Sequence, residues 1–97
     1  MPQKLSFLVV LISINVSAQL MGEITDNQGN PLRYVTVFLE NSYYGIASND
    51  DGFYSLYLPE NPEKNEFRIG FRALGYKTVF KSVPSFQKEY ILNVILL

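Results

Sequence analysis

Four residues, Asn49-Asp50-Asp51-Gly52, constrain this chain more than any others. Asn and Asp side chains accept hydrogen bonds from backbone amides two residues further on, and Gly supplies the positive φ that a tight reversal needs. Strand-like text stands on both sides, Gly45 to Ser48 before the turn and Phe53 to Pro59 after it. A turn of this kind between two β-rich runs predicts a hairpin. Its second strand places Tyr54, Leu56 and Leu58 on one face and Phe53, Ser55 and Tyr57 on the other. Such a hairpin is marginal alone, so the rest of the chain must supply strands to pack around it.

The text supplies them. Leu20 to Thr25 is a short strand candidate, closed by a turn cluster that holds Asp26, Gly29 and Pro31. Between Tyr34 and Glu40 the residues alternate, which predicts a half-buried strand with Val35, Val37 and Leu39 on the core face. Phe38 falls on the outer face with nothing to explain it. Glu66 to Arg72 alternates as cleanly, with Phe67, Ile69 and Phe71 inward and Arg68 and Arg72 outward. Gly75 interrupts the pattern. Tyr76 to Lys81 and Glu89 to Leu97 complete the set, while Pro59 to Asn65 reads as an exposed loop. Six or seven strands at spacings of roughly 8–12 residues predict an all-β fold, a small antiparallel β-sandwich.

The first eighteen residues stand apart. Lys4 precedes an almost wholly apolar run from Leu5 to Ile14, and Val16-Ser17-Ala18 offers small residues where a secretory signal peptide is cut. The alternatives are a buried first helix or a membrane anchor, but the run is well short of the ~20 residues a spanning helix needs. The expected organisation is a signal peptide over 1–18 and one exported domain over 19–97. No transmembrane helix is expected in the mature chain. The whole chain has eight basic and nine acidic residues, and loss of Lys4 leaves a net charge of −2. No basic patch suited to phosphates is present, so nucleic acid is not an expected partner.

The sequence has neither His nor Cys. The common zinc sites, Ser–His and Cys–His nucleophiles and imidazole acid–base chemistry are thereby unsupported, and no catalytic residue, cofactor or metal is expected. Asp26, Asp50 and Asp51 are candidate calcium ligands by oxygen content alone. Their spacing lacks the alternating ligands and closing Glu of an EF-hand loop, and favours ordinary turns. The seven Phe and seven Tyr are more suggestive. Tyr43 and Tyr44 sit together in a predicted loop, and Phe38, Phe53 and Tyr57 lie on predicted outer faces. These five are the candidate interaction surface, for protein or glycan, since Tyr joins an apolar ring to a polar tip. The bland alternative is core filling and edge cover. Arg68, Arg72, Lys77 and Lys81 outline a mild basic face, with Glu66 and Glu89 as candidate neutralising partners.

Four motifs come in order: Gly22 to Leu32, Val35-Thr36-Val37, Gly45 to Pro59 with its Asn-Asp-Asp-Gly core, and Ala73-Leu74-Gly75-Tyr76-Lys77-Thr78. Together they resemble the carboxypeptidase-regulatory-like domain, over about residues 20–97. That resemblance implies a seven-stranded transthyretin-like (prealbumin-like) sandwich. The Gly-Tyr-Lys-Thr version is similar to domains of Bacteroidetes-type envelope proteins, found at the N-terminus of TonB-dependent outer-membrane receptors. It implies a docking or spacer module whose partner is an envelope protein or the remainder of a larger outer-membrane chain. A free-standing secreted binding domain is the alternative. The residues that carry the likeness, Gly29, Pro31, Asp50, Asp51, Gly52 and Gly75, are turn formers, so it implies fold more strongly than function.

Overall fold

The computed structural model describes residues 16–59, 65–85 and 88–97. Residues 1–15, which hold most of the expected signal peptide, lie outside the described residues, as do 60–64 of the expected loop. Eight strands follow in order: β1 Val16–Asp26, β2 Thr36–Leu39, β3 Gly45–Ala47, β4 Phe53–Pro59, β5 Glu66–Arg72, β6 Val79–Pro84, β7 Glu89–Ile91 and β8 Val94–Leu96. They form two sheets. In the first, β1 is flanked by β4 on one side and by β7 and β8 on the other; in the second the order is β3-β2-β5-β6.

The period-two alternation does what it predicts. In β4, Tyr54, Leu56 and Leu58 are buried while Phe53, Ser55 and Tyr57 are exposed. In β5, Phe67, Ile69 and Phe71 are buried beneath exposed Arg68 and Arg72. With Leu20, Ile24, Val35, Val37, Val83, Val94 and Leu96 they make one core between the sheets. Leu39 packs on its margin, half-buried. Phe71 is fully buried at the centre, edge-on to Tyr54 at 5.5 Å between ring centroids. The Tyr54 hydroxyl donates to the Leu92 carbonyl at 2.6 Å, and burial pushes its ionisation above the ordinary phenol value.

The predicted hairpin is corrected. The turn itself forms: Gly52 N–H donates to the Asn49 carbonyl, and Asn49 Oδ1 accepts from the amides of Asp51 and Phe53. The strands on either side nevertheless belong to opposite sheets, β3 pairing with β2 and β4 with β1. The turn is an arch that carries the chain across the core. Local turn chemistry fixes the reversal but not the partner of each strand. Gly52 also seats the arch against the first loop. Its carbonyl accepts from the Ile24 amide, and a Cβ on it would stand 2.7 Å from the Ile24 carbonyl oxygen.

Ser48 closes the arch from inside. It is the buried polar residue of the described core; its Oγ donates to the Leu32 carbonyl at 2.7 Å and accepts from the Val35 amide at 2.9 Å. Ser48→Ala leaves both backbone groups without that partner. The expected loss is about 1–3 kcal/mol, the cost of stranding buried polar groups. Thermal unfolding checks it: Tm falls by roughly 4–8 °C per kcal/mol in a domain of this size.

Three further expectations shift. The strand expected over Tyr76 to Lys81 is found at Val79–Pro84, because Tyr76 and Lys77 are engaged in a turn, their amides bonded to Ala73 and Leu97 carbonyls. The expected final strand is two, separated at Leu92 and Asn93, where Asn93 Oδ1 accepts from the Glu23 amide. Both run parallel to β1, so the sandwich is antiparallel everywhere except along that flank. Strand β1 begins at Val16, ahead of the expected cleavage after Ala18. Cleavage there leaves the register from Gln19↔Tyr57 to Glu23↔Phe53 in place.

Candidate interaction surfaces

The five candidate aromatics do not form one surface. Alternation and register send Phe53 and Tyr57 to the outward face of the first sheet and Phe38 to the outward face of the second. Tyr43 and Tyr44 lie on the turn between β2 and β3, Tyr43 fully exposed. That turn is at the end of the sandwich opposite the arch, since β2 starts and β3 finishes on the arch side.

Phe38 has a local explanation that the sequence pattern did not disclose. It pairs across strands with Gly70, whose missing side chain leaves room for the ring. The ring meets Phe80 edge-on at 6.0 Å, and the Arg72 guanidinium lies 5.0 Å from its centroid. Arg68 stands 4.5 Å over Phe80 and is paired with Glu40 at 2.8 Å. The neutralising carboxylate is therefore Glu40 on the adjacent strand end, in place of the expected Glu66; Glu89 belongs to the other sheet. This face is a self-satisfied lattice of arginines and rings. Cation–π contacts of this exposed kind contribute about 0.5–1 kcal/mol each.

The outward face of the first sheet differs. Phe53 is 51% exposed, Tyr57 57%, Ile91 71% and Ile95 60%. Register aligns Ile91 with Met21, and Met21 with Ser55, in one row across the sheet. Gln19 is the main polar tie, its Nε2 donating to Ser55 Oγ at 3.1 Å and to the Tyr57 hydroxyl at 3.2 Å. The sequence pattern does not disclose Ile91 and Ile95, because their place depends on the parallel docking of β7 and β8 on β1. A solvated face of an antiparallel sheet is ordinarily polar, and this one sets four large apolar or aromatic side chains among Gln19, Glu23, Ser55 and Glu89.

The acidic candidates are turn formers. The Asn30 amide, then its side-chain amide, and the Gln28 amide bond the Asp26 carboxylate and hold it below its ordinary pKa. Asp50 and Asp51 are exposed on the arch. Among the described residues no group of three His, Cys, Asp or Glu is placed to hold a metal ion. An open cleft lined in part by Leu39, Tyr44, Phe67 and Arg68 has Glu66 and the mutually satisfied Arg68–Glu40 pair as its charged groups. Among the described residues no helix is long and apolar enough to cross a membrane.

Residues 20–96 match the family model of the CarboxypepD_reg-like domain. No curated protein matches the chain. Among solved structures, a chain of the type II cohesin–X–dockerin complex from Acetivibrio cellulolyticus, in a C-terminal interface mutant, superimposes with a TM-score of 0.61 at 11% identity, over 81% of this chain and 56% of that one. The N-terminal interface mutant of the same complex gives a TM-score of 0.60 at 12% identity with the same coverage. This chain thus spans little more than half of those it resembles, and at such identity the likeness is one of fold.

Proposed function

The chain belongs to the CarboxypepD_reg-like domain family, and on that premise we propose that it is a non-catalytic docking module of the cell envelope. It is exported by its first eighteen residues and acts at the N-terminus of an outer-membrane, TonB-dependent receptor-like assembly. The observation that carries this reading is the outward face of the first sheet, where Ile91 and Ile95 are exposed on one side of β1 and Phe53 and Tyr57 on the other. A face of this composition is suited to being covered by protein. The absence of His and Cys and the turn-forming role of the motif residues support a structural rather than chemical task.

Photo-cross-linking in the source cells tests it. A photoreactive residue in place of Ile91 or Ile95 is expected to give a protein adduct in the envelope fraction, and one in place of Arg72 none. Adducts at Arg72 alone, or at none of these positions, contradict the reading. A second reading, a free-standing secreted binder of protein or glycan, is favoured by the full exposure of Tyr43. An adduct or glycan shift that depends on Tyr43 and Tyr44, with Ile91 and Ile95 silent, selects it instead.

A further inference from the structure

The four sheet edges are not equivalent. Edge β3 has three residues, one of them Gly45. Edge β6 carries Lys81 at a core-side register position opposite Ile69, and ends in Pro84. The flank formed by β7 and β8 is interrupted at Leu92 and Asn93. Short strands, inward-placed charges and proline are the usual defences against strand addition. Edge β4 has none of them through its first six residues, Phe53 to Leu58, and no charged side chain. Among the described residues it pairs only with β1.

The hydrogen-bond pattern defines what this edge offers. Gln19 N–H and the Met21 carbonyl bond toward β7, to Lys88 and Leu92, whereas Ile24 N–H bonds toward Gly52 ahead of β4. The even residues of β1 therefore face β4, and with the register Leu20↔Leu56 and Gly22↔Tyr54 the backbone groups of Tyr54 and Leu56 are taken by β1. Those of Phe53, Ser55 and Tyr57 point away. Phe53 is already closed off, its N–H donating to Asn49 Oδ1 and its carbonyl accepting from the Asn49 amide. Pro59 has no N–H. What remains is a window of two residues, Ser55 and Tyr57, each with one donor and one acceptor.

We infer that this window pairs with its own copy in a second molecule, antiparallel about a two-fold axis through Leu56. In that register Ser55 lies opposite Tyr57 of the second copy and each pair exchanges both bonds, so four hydrogen bonds satisfy all the groups on offer. Leu56 meets Leu56 across the axis, and no like charges come opposite one another. A copy of β6 paired with itself lacks this neutrality because of Lys81. The contact is small, so association is weak and concentration-dependent. It uses backbone groups at the rim of the sheet, whereas the docking face proposed above consists of outward side chains, Phe53 and Tyr57 of β4 among them.

Sedimentation equilibrium of the natively processed chain, with amide exchange at rising concentration, tests the inference. The expected result is a mass approaching that of a dimer, with the Ser55 and Tyr57 amides gaining protection as it forms and the Phe53 amide protected throughout. Ser55→Pro removes an outward donor at no cost to the β1 ladder and is expected to weaken association at least tenfold. The double substitution Ser55→Lys with Tyr57→Lys sets like charges opposite and is expected to do the same without a change in backbone geometry. A monomer at every concentration overturns the inference. So does a dimer that both variants retain, or a monomer whose Ser55 and Tyr57 amides are already protected, since another segment then covers the edge.

Discussion

Gly52→Val is expected to destabilise the domain by about 2–5 kcal/mol, from two separate causes. At φ +78° a residue with a Cβ, above all a β-branched one, is forced into a conformation it disfavours by about 1–2 kcal/mol. The new Cβ also stands 2.7 Å from the Ile24 carbonyl oxygen and 3.0 Å from Pro31 Cβ, so backbone of the first loop must move. That movement pulls at the bonds from Ile24 N–H to the Gly52 carbonyl and from Leu32 N–H to the Ile24 carbonyl. Gly29 provides the control. It has a similar φ of +85°, but nothing lies within 4 Å of its would-be Cβ. Gly29→Ala is therefore expected to show the conformational cost alone, about 1–2 kcal/mol. Denaturant unfolding of both variants separates the two causes; equal losses contradict the packing of arch against loop.

Phe71→Ala is expected to cost about 3–5 kcal/mol, the range for removing a buried phenyl ring from a core. Phe71 is fully buried, pairs across strands with Val37 and Val79, and meets Tyr54 of the opposite sheet edge-on. It thus bridges the two layers, and collapse into the vacancy is opposed by β-strands on both sides. Natural domains keep only about 5–15 kcal/mol in total, and a domain this small lies toward the lower end. The variant is expected to be largely unfolded at temperatures the parent tolerates. A loss below about 1 kcal/mol, measured by urea titration, means that the ring is not at the centre of the core.

Legibility in the sequence followed the range of each signal. Alternation is local and survives in any sheet, so the burial of Tyr54, Leu56 and Leu58, and of Phe67, Ile69 and Phe71, is legible whatever strand lies alongside. Pairing is not local. The Asn49–Gly52 turn carries the residues of a hairpin, yet the bonds that decide its role are made to Ile24 and through Ser48 to Leu32 and Val35. The same applies to the surface. Phe38 was visible as an outward aromatic, but its seat over Gly70 depends on the β2–β5 register. Ile91 and Ile95 join Phe53 and Tyr57 only through parallel pairing with β1.

The family likeness has a physical basis in the same contacts. The motif around Gly22 to Leu32 and the motif around Asn49 to Gly52 touch each other through Ile24, Pro31 and Gly52. The motif around Gly75 lies at that end too, with the Lys77 amide on the Leu97 carbonyl beyond β8. Three of the four motifs thus have turn residues at one end of the sandwich, and Gly52 packs there against Ile24 and Pro31.

Fractionation of the source cells, followed by the mass and N-terminal residue of the native product, tests the account most directly. The expected product begins at Gln19 and is recovered from the periplasmic or outer-membrane fraction. A product that retains Met1 and is recovered from the cytosol contradicts it.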